Sequence, residues 1–264
     1  MKFGLSAEQM ADKAKKKNIV VTNTPDVLTD ATAEIAMLIL LGAARRAKEG
    51  IEWANKKNWK WSADFLMGKQ LTGARLGILG MGRIGRAVAN IARSFGMIIH
   101  YHNRSQLDKN LEKGAIYHNS LESLLSVSDF FSINCPATKE TKHIINKETL
   151  NYFPDGAIIS NTGHYDCEIN IEDLEGLAAS KRTIRDNNNE YTMNDGRKIF
   201  LLADGRLVNL AAAEGHPSEV MDMSFANQYL ALCRLAEEGK DMQPIVYDIT
   251  VSYTHLTLPT KRIV

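Results

Sequence analysis

Residues 75–85 read Arg75-Leu76-Gly77-Ile78-Leu79-Gly80-Met81-Gly82-Arg83-Ile84-Gly85. Leu76 to Leu79 is a short apolar run, read as a strand. Gly80-Met81-Gly82-Arg83-Ile84-Gly85 is G-x-G-x-x-G, and it leads into a helical pattern from Gly85 to Phe95. That strand–loop–helix context gives the glycines their meaning. Gly80 permits a tight turn, Gly82 lets backbone approach a pyrophosphate, and Gly85 allows close packing of helix on strand. Arg83 and Ile84 complete the loop, and the helix N-terminus offers free N–H groups and a positive dipole end to phosphate.

Outward from this loop, strand and helix alternate. Met97 to Tyr101, Phe130 to Asn134 and Ala157 to Asn161 read as strands, and Leu121 to Leu125 as a short helix. The alternation predicts an α/β fold, a doubly wound parallel sheet of the Rossmann type covered on both faces. Upstream, Asn18 to Thr22 is a strand candidate. Ala31 to about Lys48 is a helix, apolar nearly all round and therefore expected to be buried. Downstream, Glu172 to Ala179 is helical. Tyr191 to Met193 and Lys198 to Leu202 flank Asp195-Gly196, a hairpin signal. Arg206 to Leu210 reads as a further strand. Met221, Phe225, Tyr229, Leu232 and Ala236 recur at helical spacing from about Ser218 to Glu238.

The chain has 264 residues, with 32 Lys plus Arg against 31 Asp plus Glu, so its formal charge is only +1. A dedicated nucleic-acid binder carries a stronger basic field. The longest apolar run, Ile35 to Ala44, is shorter than the roughly 20 residues of a membrane helix. Met1 to Lys17 holds Lys13, Lys15, Lys16 and Lys17 but no apolar core, so no secretory signal is read there. Cys135, Cys167 and Cys233 are odd in number and far apart, which suits a reducing, cytoplasmic setting and no metal site. The expected partner is a small molecule, with neither nucleic acid nor membrane.

The residue beyond the second strand bears on the cofactor. A site for NAD places Asp or Glu about 20 residues after the glycines, on the ribose 2′-hydroxyl. Here His102-Asn103-Arg104-Ser105 stands there, with no carboxylate. Arg104 would welcome a 2′-phosphate, which favours NADP over NAD.

Residues 1–162 resemble the D-isomer-specific 2-hydroxyacid dehydrogenases, near the glyoxylate and hydroxypyruvate reductases. The likeness lies in Val21-Thr22-Asn23-Thr24-Pro25, the helix Ala31 to Arg46, Leu79 to Gly85, Tyr101 to Arg104, Asn134 to Thr138, Thr141 to Asn146 and Gly156 to Thr162. The resemblance implies hydride transfer between a nicotinamide and a 2-keto or 2-hydroxy acid. It also implies that Cys135, Pro136 and Thr141 line the cofactor. The family continues Asn-Thr with Ala-Arg-Gly, whose Arg grips the substrate carboxylate. This chain reads Asn161-Thr162-Gly163-His164-Tyr165 instead, without that Arg. The segment for the family's catalytic Glu and the first part of its substrate domain are not matched either, so residues 1–24 read as a remnant of that domain and 25–162 as the dinucleotide-binding part.

Residues 163–250 resemble the C-terminal part of S-adenosylhomocysteine hydrolase. The markers are Gly163 to Ile169, Leu201 to Leu210, Gly215-His216-Pro217-Ser218 and Ser224 to Gln228. This resemblance places His164, Asn209 and His216 at the NAD and substrate site, with His216 and His164 as catalytic candidates, and Asn161, Thr162 and Gly163, on the turn that both families share, are expected to bind the cofactor too. Residues 251–264 fit neither family and resemble translated adapter sequence, a non-native tail. Both families imply a homo-oligomer. Three functions follow: an oxidoreductase, a hydrolase-like segment, or a cofactor-binding module without turnover. If the second segment completes the first one's sheet, Val208 and Leu210 are expected to be buried beside Ala157 to Asn161. Met221, Phe225 and Leu232 should then dock, with Asn209 and His216 near His164.

Overall fold

The computed structural model describes residues 13–22, 28–56, 62, 65–136, 138–162, 167–212, 217–243 and 245–247. The chain divides into two compact units, one of residues 29–215 and one of residues 1–28 with 216–264.

In the larger unit, six strands run parallel: β2 (Arg75–Leu79), β3 (Ile98–His102), β4 (Ile116–Tyr117), β5 (Phe130–Ile133), β6 (Ala157–Asn161) and β9 (Lys198–Leu202). Their spatial order is β4-β3-β2-β5-β6-β9, followed by the antiparallel β8 (Asn188–Met193) and β7 (Ala178–Arg185). Renumbered along the chain, the parallel part has the order 3-2-1-4-5-6 of a doubly wound dinucleotide-binding sheet. Leu76 to Leu79 and all of β5 are buried, the unbroken apolar run that a strand covered on both faces requires.

Helix α1 (Thr29–Ala44) buries Ala33, Ala36, Met37, Leu40 and Ala44 along one stripe. They share a core with Val88, Ala89 and Ala92 of α3 (Arg83–Ser94) and with Leu76 and Ile78. The helix is not buried all round as expected: Leu38 is 60% exposed. It also stops short of Lys48, because Arg46 takes a left-handed conformation at φ 54° before a separate helix α2 (Ala47–Ala54). At the foot of the sheet Asp129 accepts two bonds from the Arg75 guanidinium, 3.0 and 3.1 Å, and one from the Arg75 backbone N–H at 2.9 Å. Burial pushes that carboxyl up, but the bonds from Arg75 outweigh it and hold Asp129 below the usual carboxylate range.

The second core joins both segments of the sequence. Phe131, Ile133, Cys135, Ile145, Leu150 and Ile159 pack with Ile169, Leu174, Tyr191, Met193, Ile199 and Leu201. Ile145 and Ile169 form a parallel bridge, flanked by bonds from His143 N–H to Cys167 O (2.6 Å) and from Asn170 N–H to Ile145 O (2.7 Å). The Asp195-Gly196 hairpin is present, with Gly196 at φ 88° between β8 and β9.

The sixth parallel strand is not the expected Arg206 to Leu210 but Lys198–Leu202, whose Ile199 and Leu201 are fully buried beside β6. Ala203, Asp204 and Gly205 all have positive φ (53°, 52°, 72°) and swing the chain off the sheet. Leu207 meets β6 only as an isolated parallel bridge to Asn161, and Val208–Ala211 is a one-turn helix, α7. Val208 is buried as expected, whereas Leu210 is 57% exposed. Glu172 to Ala179 is likewise helix only to Leu177 (α6, Ile171–Leu177). Beyond it Ala178–Arg185 is an exposed edge strand whose lysine and arginines keep it from pairing further.

In the smaller unit, β1 (Val21–Thr22) pairs in parallel with β10 (Val246–Tyr247), and α8 spans Ser218–Glu238 as predicted. Of the predicted apolar face, Met221 is half-buried while Phe225, Tyr229 and Leu232 are 57%, 67% and 64% exposed, and Ser224, Asn227 and Ala231 are the buried positions. Among the described residues no helix is long and apolar enough to cross a membrane, and no group of three or more His, Cys, Asp or Glu could hold a metal. Residues 1–12 and 251–264, with the expected non-native tail, lie outside the described residues.

Candidate functional site

The strand order reverses between β2 and β5, so their carboxyl ends flank a crevice, the place where open α/β sheets bind ligands. The glycine loop occupies one wall. Gly80 has φ 92°, and a side chain there would meet Cys135 N at 2.6 Å and the Asn134 carbonyl carbon at 2.8 Å. Only glycine lets the two chain reversals pass so closely. Gly85 sits against the Gly80 carbonyl and Ile78. Around Gly82, among the described residues, nothing lies within 4 Å of a would-be side chain. Gly82 caps α3 with no side-chain bond into its first turn. Two glycines are therefore closed by the protein, and the third borders open space at a helix N-terminus, which fits a pyrophosphate. Arg83 is exposed and Ile84 half-buried beside this opening.

Asn103 turns its Oδ1 onto the loop and accepts the Met81 N–H at 2.7 Å. It shapes the loop, which leaves the exposed Arg104 and Ser105 to meet whatever the ribose carries. Glu140, unremarked in the sequence, stands within electrostatic reach of Arg104. Its carboxyl is held low chiefly by a hydrogen bond from Thr138, with Arg104 a smaller contributor. Nothing in the spacing of Glu140 signals this, because it depends on the loop after β5 folding toward the loop after β3.

That loop is organised by Thr141, whose hydroxyl donates to Pro136 O at 2.7 Å and accepts the Thr138 N–H at 2.8 Å. Pro136 is exposed, whereas Cys135 is buried and its thiol is pushed up to about 12, by burial first and then by the nearby Glu168. Asn161 and Thr162 tie the turn after β6 to its surroundings. Thr162 Oγ1 donates to Ile133 O at 2.8 Å. Asn161 Nδ2 donates to Glu168 Oε2 at 3.1 Å and to Gly205 O at 2.9 Å. Glu168 is fully buried and was not anticipated from the sequence, where it is one acidic residue among 31 Asp plus Glu. Gly163, His164 and His216 lie outside the described residues, and Asn209 falls in α7.

The family description "D-isomer specific 2-hydroxyacid dehydrogenase, NAD binding domain" matches residues 37–174, more than half of the chain. The chain belongs to this family. Its likeness to the dehydrogenases runs past Gly163 into the segment that resembles the hydrolase. A glycerate dehydrogenase of Hyphomicrobium methylovorum is 46% identical over 173 residues, 64% of this chain and 54% of that protein. An adenosylhomocysteinase of Aquifex aeolicus is 40% identical over 181 residues, 68% of this chain and 42% of that protein. That match is longer than the stretch from Gly163 to Val264, so it reaches back across the sheet. A crystal structure of D-lactate dehydrogenase from Aquifex aeolicus, complexed with NAD and lactic acid, superposes with a TM-score of 0.57 at 32% identity. It covers 63% of this chain and 49% of that one. The chain spans about half the length of the curated relatives it matches.

Proposed function

We propose that this chain is a nicotinamide-dinucleotide-binding oxidoreductase of the 2-hydroxyacid dehydrogenase type, of the glyoxylate and hydroxypyruvate reductase kind. The observation that carries it is the open space at Gly82 between two closed glycines at the switch point of a 3-2-1-4-5-6 sheet. The α3 N-terminus would hold the pyrophosphate, Arg104 and Ser105 the adenosine ribose, and Pro136 and Thr141 the opposite wall. The nicotinamide, when bound, supplies or accepts hydride at a 2-keto or 2-hydroxy carbon. NADPH is the preferred form, because Arg104 pairs with a 2′-phosphate and Asn103 brings no charge against it. Glu140 opposes that preference by sharing Arg104.

The same chain turns over neither glyoxylate nor adenosylhomocysteine at a useful rate. A 2-keto acid needs a two-pronged cation for its carboxylate, and Gly163-His164 stands where the family carries Arg. The hydrolase reading has one structural observation in its favour, since Lys198–Leu202, which runs into the hydrolase marker Leu201 to Leu210, supplies the sixth parallel strand. The test is fluorescence titration with NADPH and NADH, then turnover assays with both substrates. Arg104→Ala should weaken NADPH selectively by about 1–3 kcal/mol, the loss of a charged hydrogen bond. Glu140→Gln should move the ratio toward NADPH. Equal loss of both cofactors on Arg104→Ala overturns the NADP assignment, and rapid turnover of either substrate overturns the reading of the site as incomplete.

A further inference from the structure

A cavity of about 400 Å³ lies at the amino end of β6, away from the glycine loop at the carboxyl ends of the strands. The C-terminal end of α1, the start of α2, β7 and β8 enclose it, with Gly156 and Ile158 at its base. Its size falls within the range of small-molecule pockets. Four cationic side chains line it, Arg46, Lys69, Arg182 and Arg185, against two carboxylates, Glu49 and Glu190. Each carboxylate is shared. Glu49 pairs with both Arg46 (3.2 Å) and Arg185, and Glu190 pairs with both Arg182 (3.0 Å) and Lys198 (3.7 Å). Lys69 also reaches Asp129, outside the lining, at 3.8 Å. The excess of positive charge therefore rests on the three arginines, whose two carboxylates are shared among them and Lys198, in a recess where solvent screens it less than at an open surface.

Ile158, Ile184 and Phe200 give the same cavity an apolar wall. Asn188 also lines it, and the Asn188 Oδ1 is buried without a hydrogen-bond partner among the described residues. A carboxamide so held turns about its last torsion at little cost, and can offer a donor or an acceptor to a guest.

We propose that this cavity is a second ligand site, separate from the dinucleotide crevice, for a small organic anion with an apolar body. The arginines take the anionic group, as guanidinium forks do for carboxylate, sulfonate and phosphate alike. The Ile158–Ile184–Phe200 wall takes the apolar part. The site stands on the chemistry of its own lining and is independent of which cofactor the crevice binds.

The probe pair is 8-anilinonaphthalene-1-sulfonate and its uncharged counterpart N-phenyl-1-naphthylamine, added to the full chain. The sulfonate should bind saturably at one site outside the crevice and shift amide resonances of residues 43–46, 182–190 and 200. The uncharged probe should bind at least tenfold more weakly. Arg46→Gln with Arg182→Gln, both at partly exposed side chains, should lower sulfonate affinity at least tenfold, whereas Gly82→Ala should leave it unchanged. Because the resonance map uses the unaltered chain, it decides the question even where a variant folds poorly. Shifts confined to residues 79–85 and 103–105, equal binding of the two probes, or no saturable binding would each overturn the proposal.

Discussion

Two alanine substitutions within the same glycine loop, Gly80→Ala and Gly82→Ala, should have opposite consequences. A methyl at Gly80 must exist at φ 92°, which costs an L-residue about 1–2 kcal/mol. It must also enter space already filled by Cys135 N at 2.6 Å and the Asn134 carbonyl carbon at 2.8 Å. Both are backbone atoms at the end of a buried strand, so the chain has little room to give. Overpacking of this kind adds about 1–3 kcal/mol. Together Gly80→Ala should destabilise by roughly 2–5 kcal/mol, a fall in Tm of about 5–15 °C for a unit of this size. Gly82 has φ −77° and, among the described residues, nothing within 4 Å of the new methyl, so Gly82→Ala should cost less than about 1 kcal/mol of stability. The open space at Gly82 is the space assigned to pyrophosphate. Dinucleotide affinity should therefore drop about tenfold or more, equivalent to ~1.4 kcal/mol. Urea denaturation and NADPH fluorescence titration on both variants give the two numbers. If Gly80→Ala is as stable as the parent, or Gly82→Ala unfolds as readily as Gly80→Ala while binding is retained, the division into a closed and an open glycine is wrong.

Ile199 and Leu210 separate the strand that completes the sheet from the one expected to. Ile199→Ala should cost about 2–5 kcal/mol in denaturant titration and Leu210→Ala less than about 1 kcal/mol, because the first is fully buried and the second 57% exposed. The reverse ranking would refute the strand assignment. His100 and His118 share a ring-nitrogen contact of 2.9 Å, and burial, ahead of neighbouring charges, depresses both below 6.5. The unfolded chain therefore takes up protons first as pH falls, so their stabilising contribution is present above about pH 6.5 and is lost as pH drops through the depressed folded values. His118→Gln should flatten stability against pH over that window; an unchanged slope would remove the pair from the account.

The parts of this fold that could be read along the chain are those set by local pattern. Leu121–Leu125, Ala157–Asn161, Lys198–Leu202 and Ser218–Glu238 fall where apolar spacing, caps and glycine punctuation put them. The glycine loop is legible for the same reason, since three glycines between a strand and a helix have few other uses. What depended on distant parts of the chain was not legible. Arg206 to Leu210, largely apolar after the Asp204-Gly205 turn, reads as a strand, yet Lys198–Leu202 takes the place beside β6, because three positive-φ residues then turn the chain away. Alternation tells which residues share a face and says nothing about which of two candidate strands reaches the sheet first. The helical spacing of Met221, Phe225 and Leu232 predicted α8 correctly but not the direction in which it buries its side chains. The sequence alone determined that a dinucleotide-binding sheet forms and where its phosphate loop lies, since both follow from residue type and short-range order. Only the tertiary structure decided that Asn103 serves the loop, that Glu140 comes within electrostatic reach of Arg104, and that the Cys167–Asn170 stretch locks onto Ile145. Each of these brings together segments whose separation is bridged by packing and not by any periodicity of the chain.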